Sequence, residues 1–586
     1  MKKRKLLALF LCLTMLVGLF AGCAKQEEPA AQEKPAATET PKQEDPKPSE
    51  EKAPAAEAPA EIVPGQLPLV APGEEKPTIT IGLRQSSNTE DYETNKYTLW
   101  LEEQTGINLE FVMFSSDGTE AKTQVNLMVA GGDELPDIIW NVKMDSATVY
   151  EYGEDGYFVD IKDYFEKYGY YFWESYEYMN EKDKEYLFAY GADPNNGAFY
   201  AFPGYKESSG DFVSAMTSIN KTWLDAVGAE MPTTVDELYE VLKLFATKDP
   251  NGNGVADEIP MVGYDGHCSN LTEFITNAFV FCNDQYFFNA TDGQLWVPYI
   301  TDEYRQALIY MNKLYNEGLL SPLTFTTASA DNAAQTALFT PADQTAISGV
   351  IAGHPILTME QNNPVLYEYT GLAPLKDETG KGGYAPIDPS TFEYYTVITA
   401  DCEDPVLAFR LLDFMCGQES SLRQRYGEFG VDWEWAKEGD IGSTGDPAAL
   451  REIDSSVYGS QNNQNWHSMY ANILPLCLWL PASITDDPWE AARSDLSKSI
   501  SKGFLDAGLP AEAVYQIIYT TAENETVAEV KSILIDYLNE SRALFITGAM
   551  DPNSDADWET YLNAMESQGL SQWLEVAQTA YSRMNG

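Results

Sequence analysis

Three features of this sequence could do chemistry at a defined place: a run of oxygen-bearing side chains, a set of flat aromatics and one isolated arginine. The run Asp249-Pro250-Asn251-Gly252-Asn253-Gly254-Val255-Ala256-Asp257-Glu258 opens with Asp-x-Asn-x-Asn-Gly, the start of a calcium loop. Oxygen ligands at positions 1, 3 and 5, with glycine at 6 for the turn, suit a hard cation. Position 12 is Pro260 and not a bidentate Glu, which leaves Asp257 and Glu258 as replacements and a metal-free Asn-Gly turn as the alternative. Twelve Trp and 35 Tyr supply flat faces for the C–H surfaces of a ring-shaped ligand. The candidates are Trp140 at a strand end, Tyr205 in Phe202-Pro203-Gly204-Tyr205, Trp433 and Trp435 in a Gly-rich loop, and Trp466 between Asn462 and His467. Arg84 is the only arginine between Arg4 and Arg305; it is either a ligand contact or half of a surface ion pair.

Catalytic signatures are sparse. The only histidines are His267, His354 and His467, and there is no His-Glu-x-x-His pair, no Gly-x-Ser-x-Gly elbow and no Walker loop. Ser499-Ile500-Ser501-Lys502 fits Ser-x-x-Lys, but it lacks the partner motifs of the enzymes that use it. No catalytic residue is assigned. A glycoside hydrolase needs only two carboxylates at the right separation, so 91 acidic residues leave that class open. With 37 basic residues against them the net charge is −54, a field that repels phosphate backbones and excludes a nucleic-acid partner.

These residues need a scaffold, and 586 residues with 44% hydrophobic content are enough for two to four domains. Lys2 to Lys5 precede an uncharged run from Leu6 to Gly22, the pattern of a signal peptide over 1–22, too short to span a bilayer. The run ends in Phe20-Ala21-Gly22-Cys23, which resembles the lipobox of bacterial lipoproteins. That resemblance implies lipidation of Cys23 and contact with the membrane through the lipid only; an ordinary secreted protein is the alternative. From Ala24 to Pro77 the chain is rich in Pro, Ala, Glu and Lys and has no aromatic residue, so 23–78 is expected to be a lipid anchor and disordered spacer.

Beyond the spacer, alternation predicts a strand from Thr78 ending at Arg84, a helix carrying Tyr97, Trp100 and Leu101 up to Gly106, and a strand over Asn108 to Phe114. A helix through Gln124 to Val129 and a strand over Asp137 to Trp140 follow. Repeated strand–helix units imply a parallel α/β sheet, and ligands of such sheets sit beyond the carboxyl ends of the strands, which nominates Arg84 and Trp140. Thr234 and Glu237 are spaced as a capping box over a buried stripe of Val235, Leu238, Leu242 and Phe245, and a second helix is expected from Asp302 to Glu317. Helical patterns dominate past residue 400. Helical residues between Cys402 and Cys416, and between Cys268 and Cys282, should keep both pairs too far apart for a disulfide.

Several stretches together resemble family 1 extracellular solute-binding proteins of carbohydrate ABC importers. They are Tyr97 to Phe111, Leu127 to Ile139, Tyr152 to Ile161, Ile219 to Pro260 and Leu314 to Leu319, with Ile219 to Pro260 the most specific. The resemblance implies a type II periplasmic-binding-protein-like fold, α/β, with a ligand cleft between two lobes and a helix-rich C-terminal part. By analogy lobe one is 79–212 and 373–425, and lobe two is 213–372 and 426–586. It also implies a monomer on the outer face of the membrane that passes an oligosaccharide to permease subunits. Some members of the resembled family, alginate-binding ones included, hold calcium in this variant loop. This suggests Asp249, Asn251, Asn253, Asp257, Glu258 and the Val255 carbonyl as ligands of a structural Ca2+. A surface this acidic favours a neutral or weakly charged oligosaccharide, unless a local cluster around Arg84 overrides a field that salt screens within about 10 Å. A surface glycoside hydrolase and a peptide-binding lipoprotein remain the alternatives.

Overall fold

A computed structural model describes residues 62–208, 215–264, 269–327, 332–353, 358–387, 390–442, 444–454, 457, 461–467, 472–482, 488–514 and 516–585. The signal segment, Cys23, most of the spacer, His267, Cys268 and His354 lie outside the described residues. The spacer does not stay structureless to residue 78. Leu67, Leu69 and Val70 pack against the first hydrophobic core, the Leu69 N–H donates to the Thr105 carbonyl at 2.8 Å, and Arg410 Nη1 donates to the Leu69 carbonyl at 3.3 Å. Three apolar side chains within four residues gain more by burial than the segment gains by staying loose.

Ten strands form the two larger sheets among the described residues. They are β1 (Thr78–Arg84), β2 (Asn108–Phe114), β3 (Ile138–Trp140), β4 (Ala201–Lys206), β5 (Thr217–Asn220), β6 (Ile259–Val262), β7 (Ser348–Ala352), β8 (Tyr369–Gly371), β9 (Thr391–Ile398) and β10 (Ile473–Leu474). The first sheet has the order β10-β4-β9-β3-β1-β2, with β9 antiparallel to both its neighbours. The second has the order β8-β5-β7-β6, with β5 antiparallel to its neighbours. The carboxyl end of β4 leads to the amino end of β5, and that of β8 to β9, so the ligand-side edges of the two sheets face each other. A third crossing runs from β10 to the helix Pro488–Ala507, which packs on β8.

Helices cover the sheets as their caps and stripes require. Helix α1 (Lys96–Thr105) starts where the Asn95 side chain accepts the Tyr97 N–H and stops at Gly106, whose φ of 74° few other residues adopt. Helix α2 (Gly118–Gly131) begins under an Asp117 cap. Helix α3 (Ser146–Glu154) follows β3. Helix α4 (Val235–Thr247) carries the expected Thr234–Glu237 capping box and buries Val235, Leu238, Val241, Leu242 and Phe245. Helix α5 (Asp302–Asn316) runs as expected. Cys402 and Cys416 sit at the two ends of α6 (Pro405–Met415), roughly 16 Å of helix against the roughly 7 Å that a disulfide spans. The long helix α7 (Thr521–Thr547) starts from a second capping box and reaches from the second lobe to α3 of the first.

Two lobe borders move from their expected positions. Leu372, Leu375, Ala385 and Ile387 lie in the second core, so lobe one resumes near β9 and not at 373. Residues from 426 onward do not return at once to lobe two: β10 joins the first sheet, and Trp466 and Ile473 lie in the first core. Leu422, Tyr426, Trp433, Leu450, Leu474 and Trp479 form a small third core beside them. This part holds the short hairpin of Trp433–Trp435 and Leu450–Glu452, whose three-residue strands are too brief to show a period in sequence.

Candidate functional site

The strongest site candidate stands where β1 and β3 end. Leu83 is paired with Trp140, so Arg84 and Asn141 leave the sheet side by side on neighbouring strands. Between them and the loop after Trp466 lies a cavity of about 200 Å³, lined by Arg84, Ser86, Ser116, Trp140, Asn141 and His467 among others. Asn141 and His467 have φ values of 57° and 50°, in the left-handed region, and such conformations cluster where a site holds its residues under strain. Asn141 is 9% exposed and its Oδ1 meets no donor. The half-buried Arg84 makes no side-chain hydrogen bond or ion pair among the described residues. Its guanidinium lies over Gly118, the first residue of α2, where an added Cβ would come within 3.1 Å of Nη1. The site therefore combines a free cation, a helix amino terminus and an unsatisfied acceptor.

Of the residues proposed from sequence, the structure brings Arg84, Trp140 and Trp466 together at this cavity. Trp466 anchors the wall. Tyr97, Phe111 and Trp140 meet it edge-on at ring distances of 5.1, 5.6 and 6.0 Å, and its indole N–H donates to Thr98 Oγ1 at 2.9 Å. Three others lie elsewhere. Tyr205 is buried with its hydroxyl donating to Asp183 Oδ2 at 2.7 Å, and burial followed by the Asp183 charge pushes the phenol pKa far up. Trp433 fills the third core and donates to the Gly427 carbonyl at 3.0 Å. Trp435 is 39% exposed and packs on Phe429 and Trp433. None of the three lines the cavity at the ends of β1 and β3, and their partners in the fold are invisible in sequence. Asn141, Ser86, Ser116 and His467 were missed, although the rule that nominated Arg84 and Trp140 extends to the residues after them.

Two further cavities adjoin the interlobe region. One of about 520 Å³ is walled by both lobes, with Tyr190, Ser390 and Phe392 on one side and Tyr286, Tyr519 and Lys531 on the other. Another of about 420 Å³ lies past the end of β6, against Tyr264, Thr324 and Arg542.

The calcium-like loop lies at the opposite, amino end of β6, away from the cleft edge. The Gly254 N–H donates to Asp249 Oδ2 at 3.0 Å, and the Asn251 and Asn253 side-chain oxygens accept from the N–H groups of Asn253 and Val255. Asn253 Nδ2 donates to Asp257. Among the described residues no three His, Cys, Asp or Glu side chains are grouped tightly enough to hold a metal. The donor set nevertheless fits a cation: Glu258 Oε1 is buried with no partner. Burial, with Asp249 and Asp257 adding their charges, raises the Glu258 carboxyl pKa.

Two α/β lobes, three crossings, and a polar cavity at the carboxyl ends of the strands define a solute-binding protein of the type II kind. The sequence profile of the family described as bacterial extracellular solute-binding protein matches residues 86–420, over half the chain, and the chain belongs to that family. It is 24% identical over 506 residues to the fructooligosaccharide ABC transporter substrate-binding protein FusA of Streptococcus pneumoniae serotype 4, covering 82% of this chain and 86% of FusA. Its fold is that of an HMO-binding, ABC-transporter-associated solute-binding protein from Bifidobacterium longum infantis, with a TM-score of 0.70, 20% identity and coverage of 87% and 99% of the two chains. An EF-hand mutant of the Streptococcus pneumoniae FusA in complex with fructo-nystose is similar too, with a TM-score of 0.62, 21% identity and the same coverage.

Proposed function

We propose that this protein captures an oligosaccharide between its lobes and delivers it to the permease of an ABC importer, held to the outer face of the membrane by a lipid on Cys23. The observation that carries this reading is the cavity at the ends of β1 and β3. Serine hydroxyls, an amide, a guanidinium and an imidazole stand there against tryptophan edges, a lining suited to a polyhydroxylated ring. The described lining contains no carboxylate, so it offers no acid–base pair for glycoside hydrolysis. The similarity to FusA over 82% of this chain supports the same ligand class.

A calcium ion held by Asp249, Asn251, Asn253, the Val255 carbonyl, Asp257 and Glu258 belongs to this reading as a structural clamp. Bound there, it would neutralise crowded carboxylates and give the buried Glu258 oxygen a partner. The decisive experiment is a thermal-shift and calorimetric screen of the protein against oligosaccharides of defined linkage, with the sugars re-analysed afterwards. Saturable binding with intact ligand is expected. Release of shorter sugars would instead identify a hydrolase, and competition by peptides would identify a peptide carrier.

A further inference from the structure

The acidity of the chain argues for a neutral ligand, but the first cavity reverses that argument locally. About one residue in six of the sequence is Asp or Glu, yet neither the first cavity nor the larger one walled by both lobes has an acidic residue in its described lining, and each has one cation, Arg84 or Lys531. The two carboxylates beside Gly118 in sequence bond to their own turn and not to Arg84. Asp117 Oδ1 accepts the Glu120 N–H at 2.8 Å, and Glu120 Oε2 accepts from Ser115 Oγ at 2.8 Å. Among the described residues Arg305, Arg423, Arg451, Arg542 and Arg583 are each ion-paired with a carboxylate. Arg84 differs from these, and from the part-buried Arg410 that donates to the Leu69 carbonyl, in having no side-chain partner among the described residues.

Two further observations bear on the ligand; the amino end of α2 under the guanidinium adds little, because Asp117 and Glu120 offset its partial charge. Asn141, on the adjacent strand end, keeps a buried oxygen with no donor, which calls for a hydroxyl. The cavity of about 200 Å³ is below the roughly 300 Å³ at which drug-sized pockets begin, so it takes a single ring of a longer chain.

We propose that this cavity receives a uronic-acid unit of the oligosaccharide, its carboxylate on the Arg84 fork and a ring hydroxyl donating to Asn141 Oδ1. The planar guanidinium matches a carboxylate through two parallel N–H donors, a geometry that a neutral hydroxymethyl group cannot return. The long-range field of the chain does not prevent this. At physiological ionic strength it is screened over about 8 Å, whereas the contact itself is made at hydrogen-bond distance inside a part-buried cavity. The inference rests on the reading of this cavity as a saccharide site and narrows its ligand to an anionic sugar.

The test compares uronate di- to tetrasaccharides of several linkages with their carboxyl-reduced counterparts, identical except that –COO⁻ has become –CH2OH, by titration calorimetry on the full chain. At least one uronate should bind about tenfold to a hundredfold tighter than its reduced twin, the span expected of a charge-assisted hydrogen bond. Arg84→Gln should abolish that preference and Arg84→Lys should keep part of it, with melting temperatures unchanged because Arg84 has no side-chain partner to lose. Equal or tighter binding of a reduced twin overturns the inference and leaves the saccharide reading standing. So does a uronate preference that survives Arg84→Gln. If no uronate, reduced or neutral oligosaccharide binds, both readings fall.

Discussion

Arg542, on α7, ties that helix to the second lobe through a buried bidentate pair, and breaking it should be among the most damaging single changes in the protein. Its Nη1 and Nη2 donate to the two Asp284 oxygens at 2.7 and 2.8 Å, and Nη1 and Nε also reach Thr272 and Tyr304. Asp284 accepts further from Tyr299 at 2.8 Å and Asn270 at 3.0 Å. The Arg542 side chain is 8% exposed and that of Asp284 27%, so the two single variants are not equivalent. Asp284→Leu strands the more buried charge and should cost about 3–5 kcal/mol, while Arg542→Met leaves a carboxylate that water can partly reach and should cost about 2–3 kcal/mol. The double variant strands no charge. It orphans the Tyr299 and Asn270 donors, each worth about 1 kcal/mol, for a total near 2 kcal/mol. Urea unfolding at pH 7 should therefore show a coupling of about 3 kcal/mol or more, and additivity within about 0.5 kcal/mol would refute the reasoning. Burial raises the Asp284 pKa, but the Arg542 guanidinium and the hydrogen bonds outweigh it, so the net shift is downward. The pair's contribution is thus present above about pH 4 and lost as pH falls below it. Asp284→Asn should lack that acid transition.

Asp413 should behave in the opposite sense. Burial pushes its carboxyl up to about 6 against the N–H groups of Phe172, Tyr170 and Tyr171, so its contribution is greatest below about pH 4 and declines through pH 6 by about 3 kcal/mol. Asp413→Asn should remove that decline, and a wild-type minus variant difference that stays flat from pH 4 to 7 would contradict it. Chelation should lower the melting temperature of the wild type and leave Asp249→Ala untouched, since an ion at a hundred times its Kd adds about 2.7 kcal/mol to the folded state. Trp433→Ala should cost about 3–5 kcal/mol by opening a hole in the third core, without changing the Kd for any oligosaccharide that binds the wild type. A weakened Kd in folded Trp433→Ala would return that residue to the site.

What could be read from sequence was decided locally. The strand Thr78–Arg84 and the Thr234–Glu237 capping box are set by alternation and by hydrogen bonds three residues apart, so the residues that decide them are adjacent. Arg84 and Trp140 were reachable for a related reason, since the end of a parallel strand predicts where a ligand sits. The fate of an aromatic ring is not local. Trp466 finds Thr98 across 368 positions and Tyr205 finds Asp183 across 22, and those partners decide that one borders the cavity and the other disappears into the core. Charge at a site is likewise not read from composition. Net charge describes the average surface, whereas the first cavity is assembled from the ends of β1 and β3 and the loop after Trp466, and acidic residues are missing from its described lining. Net charge therefore does not fix the charge that a ligand in that cavity would meet: among its described lining residues that charge is the Arg84 guanidinium, and the comparison with carboxyl-reduced sugars tests whether it selects the ligand.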